Sequence, residues 1–107
     1  MVKINLYAIR HKPTGGYLPA PQGRGGRGGS HMEPAVFTEN QGKHGVIPRV
    51  WATERAAKAA LWLWLQGKYV AYRYGGYEDF EEEIDIQPQP HRKEEDMEIV
   101  SVTVELP

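Results

Sequence analysis

Apolar and polar residues alternate at both ends of the chain. Every second residue from Val2 to Ala8 is apolar, and valines alternate with mostly polar residues between Ile99 and Leu106. A period of two residues is typical of a strand that buries one face. The sequence therefore predicts a β-strand at each end, the first over Val2 to His11.

The apolar positions between Thr53 and Gly67 follow a helical period instead. Thr53 has the side chain of an N-cap, Glu54 places a negative charge in the first turn, and Gly67 follows the last periodic residue. The pattern predicts a helix over residues 54–66 whose buried stripe includes Trp64. That stripe has the spacing i, i+3, i+4, i+7, i+8 and consists of Ala57, Ala60, Leu61, Trp64 and Leu65.

The rest of the chain carries shorter and weaker patterns. Pro13 to Gly16 predicts a turn, and Tyr17 begins a return strand, which makes a hairpin. Residues 35–37 form a candidate short strand, and Lys68 to Tyr74 is rich in β-forming residues. Residues 77–95 are acidic and then interrupted by prolines, so we expect an irregular segment there.

Together these elements predict one α+β domain over residues 1–107. The expected order is ββαβ or ββαββ, with one helix on an antiparallel or mixed sheet and flexible loops at about residues 20–34 and 75–95. The net charge is −1, whereas a nucleic-acid binder is usually basic. Because the chain has no cysteine and no apolar stretch of membrane-spanning length, we expect a cytoplasmic protein without membrane contact.

Glycine and arginine dominate residues 22–31, which read QGRGGRGGSH. Glycine leaves backbone N–H groups accessible, and arginine adds a planar fork that pairs with phosphate. The glycine spacing fits a dinucleotide fingerprint, but prolines precede it and no helical pattern follows, so we reject that interpretation. Its two RGG units are fewer than RNA-binding tails carry. The segment is either an anion-binding loop or a solvated tether.

The start of the predicted helix offers the second half of a candidate site. Helix N-termini attract anions, and Trp51 with Arg49 could stack a base there and hold its phosphate. The alternative for Trp51 is a hydrophobic staple over the helix start. We expect a ligand-binding pocket if the glycine/arginine loop folds beside Trp51. Its candidate residues are Arg10, Arg24, Arg27, Ser30, His31, Arg49, Trp51 and Arg55.

No sequence pattern indicates catalysis or metal binding. The four histidines lack the spacing of metal ligands, and no cysteine supports them. No serine lies in a nucleophile elbow, and no pair of carboxylates stands apart from the acidic run. We therefore expect no enzyme activity, no metal and no cofactor.

Trp62 is a second candidate for binding. It lies about 200° around the helix axis from Trp64, away from the buried stripe. Residues 77–95 either cover it or leave it exposed, and of the two we favour the cover. The alternative is a protein–protein interface built from Trp62, Tyr77, Phe80 and the acidic run at residues 78–85.

Four segments resemble small accessory proteins of tailed bacteriophages: YAIRHKPTGGYLP (7–19), GRGGSHMEP (26–34), PRVWATERAAKAALWLWLQG (48–67) and DMEIVSV (96–102). The resemblance implies a phage protein in the cytoplasm of a bacterial host and transfers no catalytic residue. With the loop chemistry, it favours a non-enzymatic protein that sequesters a nucleotide-like defence signal, in a pocket that a homodimer could share. The alternatives are a protein–protein inhibitor of a host defence or transcription complex, and a nucleic-acid-binding accessory protein.

Overall fold

The computed structural model describes residues 1–21, 28–38, 47–74 and 81–107. This part of the chain combines one α-helix with strands in two sheets, so the predicted α+β class is confirmed. In chain order its elements are β1 (Val2–His11), β2 (Gly16–Tyr17), a 3₁₀ turn (Gly28–His31), β3 (Val50–Trp51), α1 (Glu54–Gln66), β4 (Lys68–Tyr74), β5 (Glu81–Gln87), a second 3₁₀ turn (Glu94–Asp96) and β6 (Met97–Leu106).

The long strand β1 lies at the centre of the main sheet. β6 pairs with its whole length, from Val2↔Leu106 to His11↔Met97. The short strands β2 and β3 pair with successive parts of its other edge. β4 and β5 form a separate two-stranded sheet. Every strand pairing within the described residues is antiparallel. Of the two predicted alternatives, an antiparallel or a mixed sheet, these residues therefore form the antiparallel one.

The core lies between α1 and one face of the main sheet. Ile9 is fully buried and packs with Leu18, Trp64 and Met97. Burial also decreases towards the N-terminal end of β1, where Val2 is 56% exposed. The reason is length: ten strand residues span about 33 Å, whereas the thirteen residues of α1 span about 20 Å and cover only part of the strand.

The helix has the bounds and the caps that the sequence predicts. The Oγ1 of Thr53 accepts a hydrogen bond of 3.1 Å from the amide of Ala56. Gly67 ends the helix with a φ of 131°, a value that L side chains rarely adopt, and donates its amide to the carbonyl of Trp64. The predicted stripe faces the core. No helix within the described residues is long and apolar enough to cross a membrane.

Several local predictions differ from the structure. The prediction of an irregular segment at residues 77–95 is wrong for Glu81–Gln87, because these residues form β5 and pair with β4 over their whole length. Acidic residues have low β-propensity, so the sequence does not indicate this strand. It forms because β4 pairs with it. Residues 35–37 form no strand, since only Ala35 bridges to Tyr17. Trp62 is 61% exposed, so the favoured cover over its ring is also wrong.

Candidate functional site

A small cavity lies where the first 3₁₀ turn, β3 and α1 meet. Its volume is about 100 Å³. The turn contributes Gly29 and Ser30, and Tyr69 closes it from the start of β4. Arg49 and Trp51 line it from the segment that leads into the helix. The cavity therefore brings the end of the glycine/arginine segment beside Trp51, as the pocket prediction requires.

Backbone pairing sets the positions of the two residues that lead into the helix. The amide of Arg49 donates to the carbonyl of Leu18 at 2.9 Å. Two residues later, Trp51 pairs with Tyr7 in the main sheet. Successive side chains of an extended segment alternate, so Arg49 and Trp51 share one side. This side faces the core, against which the indole of Trp51 packs.

The guanidinium of Arg49 lies over the ring of Trp51. Its central carbon is 4.8 Å from the ring centre, within the range of a cation–π contact. Among the described residues, no carboxylate forms an ion pair with Arg49. Both side chains are half-buried, which weakens solvent screening of the charge. The wall of the cavity thus carries a positive charge beside an aromatic surface, with no acidic partner in the part of the chain that the structure describes.

Ser30 and His31 use their side chains to hold the turn in place. The Oγ of Ser30 accepts a hydrogen bond of 3.0 Å from the amide of Tyr69. The Nε2 of His31 donates to the carbonyl of the same residue at 2.8 Å. Ser30 is buried and lines the cavity, whereas His31 is exposed and does not. Both residues position the cavity wall by binding the backbone of β4.

Arg10 lies on the other face of the main sheet. It pairs with Glu98 in the register of β1 and β6, and its Nη1 donates to Oε1 of that carboxylate at 2.7 Å. This hydrogen bond raises the pKa of the Arg10 guanidinium above its usual value. Because adjacent strand residues point to opposite faces, and Ile9 faces the helix, Arg10 points away from the cavity. The structure separates it from Trp51.

Arg55 also lies apart from the cavity. It is exposed on the first turn of α1, and the helix lines the cavity further on, through Ala60, Leu63 and Trp64. The N-terminus of the helix is therefore not part of the cavity wall. Of the predicted ligand residues, the structure brings together Ser30, Arg49 and Trp51. The remaining candidates Arg24, Arg27, Tyr77 and Phe80 lie outside the described residues.

The structure also contains a polar cluster around Glu33 that the sequence does not predict. The side chain of Arg92 is fully buried, and its Nη2 donates to Oε1 of Glu33 at 2.8 Å. The Nε2 of His91 lies 3.1 Å from both oxygens of the same carboxylate. Partial burial acts to raise the pKa of Glu33, but the hydrogen bonds from Arg92 and His91 outweigh it and hold this pKa below its usual 4.5. No local motif marks these residues, because the contacts cross more than 50 positions of the chain.

Comparisons of this chain with family models, curated proteins and solved structures give no match. The resemblance to phage accessory proteins therefore stays a prediction. Among the described residues, no group of three or more histidine, cysteine or acidic side chains is arranged to hold a metal ion.

Proposed function

We propose that the protein is a non-enzymatic binding protein that takes up a nucleotide-like anion beside Arg49 and Trp51. One observation carries the proposal. The guanidinium of Arg49 has an aromatic ring at 4.8 Å and no acidic partner among the described residues. An arginine that neutralises a neighbouring carboxylate would have less attraction for an anion.

The chemistry of the two side chains suits the two parts of a nucleotide. Guanidinium groups donate two parallel hydrogen bonds to phosphate oxygens, and a charged hydrogen bond contributes about 1.5–3 kcal/mol. Stacking of a base on an aromatic side chain contributes about 1–3 kcal/mol. Each contact alone changes affinity by roughly tenfold or more, since about 1.4 kcal/mol corresponds to a factor of ten.

The size of the cavity limits what it can enclose. Its volume of about 100 Å³ accommodates one flat ring or one phosphoryl group. Pockets that bury a whole small-molecule ligand usually measure about 300 Å³ or more. The ligand therefore places one end in the cavity and extends beyond its mouth. Arg24 and Arg27 precede Gly29 by a few residues, and we include them in the proposal as contacts to that outer part.

In the phage setting that the sequence resemblance implies, such binding would withdraw a defence signal from the host cytoplasm. Sequestration requires tight binding and no turnover. We therefore expect the bound nucleotide to be recovered chemically unchanged after denaturation. Mass spectrometry of small molecules released from freshly purified protein tests both parts of this expectation.

The binding experiment uses a panel of adenine and cyclic nucleotides, with inorganic phosphate as a separate arm. We expect a rise in melting temperature and a calorimetric dissociation constant for at least one nucleotide. Arg49→Gln should weaken this binding by about 10- to 100-fold, as the loss of a charged hydrogen bond predicts. Arg55→Gln is the matched control, because it removes the same charge from an exposed position outside the cavity.

Two results would overturn the proposal. The first is a panel in which no nucleotide changes the melting temperature or produces heat. The second is equal weakening by Arg49→Gln and Arg55→Gln, which would indicate a general charge effect. The double substitution Arg24→Ala with Arg27→Ala tests the outer contacts and should abolish uptake of the nucleotide.

A further inference from the structure

Within the described residues, β6 forms an edge of the main sheet. This strand pairs with β1 on one side, and no described strand pairs with its other side. The amide of Lys12 donates to the carbonyl of Asp96, which sets the alternation of the ladder. The even-numbered residues of β6 therefore bond to β1, and the odd-numbered residues direct their N–H and C=O groups outward. Met97 and Ile99 begin this set, but the amide of Met97 already donates to the carbonyl of Glu94, so the amides that a further strand could use begin at Ile99.

A groove of about 540 Å³ runs between this edge and the helix. α1 contributes Leu61, Trp62 and Leu65 to its walls, and β6 contributes Met97 and Ile99. Trp62 is 61% exposed, although burial of its indole would be favourable. The groove shares no lining residue with the Arg49 cavity. An apolar floor thus lies directly beside a row of backbone groups that can accept another strand.

The rim of the groove is acidic. Its charged residues are Glu54, Lys58, Glu94 and Glu98. Lys58 lies 3.3 Å from Glu54, and Arg10 binds Glu98 from the neighbouring strand, which leaves Glu94 without an ion-pair partner among the described residues. Residues 94–96 are all acids, so the negative charge continues beside the groove. This charge favours an occupant that carries lysine or arginine.

We infer that the groove is a docking site for an extended segment of another protein that alternates apolar and basic residues. The segment adds to β6 as an antiparallel strand, and its backbone bonds to the outward-directed groups of the odd-numbered residues. Strand addition at an open edge is a recurrent mode of peptide recognition, in which alternate side chains enter pockets. Here the apolar set enters the space between Trp62 and Ile99, and the basic set lies near the acidic rim.

The charge of β6 argues against a second copy of this chain as the occupant. The charged residues of this strand are Glu98 and Glu105. Antiparallel pairing of two copies through β6 would bring further carboxylates towards a rim that already carries three. Like charges placed across adjacent strands are destabilising. A basic partner relieves this repulsion, whereas a second β6 increases it.

The test uses two fluorescein-labelled octapeptides, one alternating valine with lysine and the other alternating valine with glutamate. We expect fluorescence anisotropy to show that the lysine peptide binds at least tenfold more tightly, with an affinity that falls as salt is added. Trp62→Ala should weaken its binding by tenfold or more. Ile84→Ala is the matched control, since it removes an apolar side chain of similar exposure from β5.

A second variant tests the backbone contact. Ser101→Pro removes an outward-directed amide from β6 and leaves the ladder to β1 intact, because proline is tolerated at the free side of an edge strand. We expect at least fivefold weaker binding of the lysine peptide, with a melting temperature close to that of the parent. Equal binding of the two peptides, or binding of neither, would overturn the inference. A concentration-dependent dimer in analytical ultracentrifugation that Ser101→Pro dissociates would overturn it in favour of a second copy.

Discussion

The guanidinium of Arg92 contacts Trp64 in two ways at once. Its central carbon lies 4.3 Å from the centre of the indole ring, and its Nη1 donates to the carbonyl of the same residue at 2.8 Å. The indole in turn donates its Nε1 to the carbonyl of Met32 at 2.7 Å. With the ion pair to Glu33, these contacts join the end of α1 to two loops. The core on this side is therefore closed by polar contacts.

Removal of Arg92 should destabilise the protein strongly. The substitution Arg92→Met removes the charged donor to both acceptors, which leaves the Trp64 carbonyl with the amide of Gly67 and the Glu33 carboxylate with His91. Breaking a buried ion pair costs about 3–5 kcal/mol, and we expect about 2–3 kcal/mol here because Glu33 is partly exposed. Urea unfolding followed by tryptophan fluorescence measures the loss. Arg55→Met is the control, and a loss below about 0.5 kcal/mol for Arg92→Met, the size of an ordinary surface change, would contradict the role of this residue.

The same ion pair predicts a pH dependence of stability. The pKa of Glu33 is lower in the folded protein than its usual 4.5, so the unfolded chain binds the proton more readily. The stabilisation is present above about pH 5 and is lost as the pH falls from there through the lowered folded pKa. The difference in melting temperature between the parent and Glu33→Gln should therefore narrow between pH 7 and pH 3.

The control for this pH series is Glu105→Gln. Glu105 lies 3.6 Å from Lys3 in a pair whose side chains are both more than half exposed. Pairs of this kind contribute little to stability. We expect the difference between the parent and this variant to stay small at every pH. A difference for Glu33→Gln that is independent of pH would contradict the prediction.

The parts of the fold that could be predicted are those set by local sequence. Residues 54–66 carry a periodic stripe and both caps, so the bounds of α1 follow from neighbouring residues. β5 has no such signal, since its acids oppose strand formation and its pairing with β4 supplies the order. The apolar alternation of β1 predicts burial of the face that carries Val2 and Ile4, but the helix packs on the opposite face, where Ile9 is fully buried and Val2 is left 56% exposed. Local sequence patterns therefore predict secondary-structure elements, whereas tertiary packing determines which face of an element is buried.

The candidate site divides in the same way. Arg49 and Trp51 are two positions apart in an extended segment, so their shared side follows from strand geometry. Ser30 reaches the cavity through a hydrogen bond to Tyr69, 39 residues away, which no local pattern announces. Arg10 is a candidate from the sequence, but the sheet places it on the opposite face. Charge identified candidates, but only the tertiary structure could select among them.

Gly67 should be the least replaceable of the described glycines with positive φ. Its φ of 131° lies in a region that alanine avoids, and an added Cβ would meet the backbone carbonyl of Gln87. We expect Gly67→Ala to cost about 3 kcal/mol or more in urea unfolding, from the strained backbone and the displaced end of β5. Gly15→Ala is the control. Its φ is 74° and the nearest atom to its Cβ is the flexible end of Arg10 at 3.7 Å, so about 1 kcal/mol is expected. Equal costs for the two substitutions would contradict this explanation.

Gly29 provides a way to move Arg49 without removing its charge. An added Cβ at this position would lie 2.5 Å from Nη1 of Arg49, which is the mobile end of a long side chain. We therefore expect Gly29→Ala to change the free energy of unfolding by no more than about 1 kcal/mol, the typical effect of a point substitution, while it displaces the guanidinium from its present position in the cavity wall.

The consequence for binding can be isolated with a double-mutant cycle. Gly29→Ala should weaken the nucleotide that binds most tightly in the panel by about tenfold, as the loss of one well-placed charged hydrogen bond predicts. If the alanine acts through Arg49, it should have little further effect on the Arg49→Gln variant. Calorimetric titration of the parent, both single variants and the double variant measures the coupling. Additive effects would show that Gly29 influences binding independently of Arg49 and would remove the geometric link between the glycine segment and the cavity.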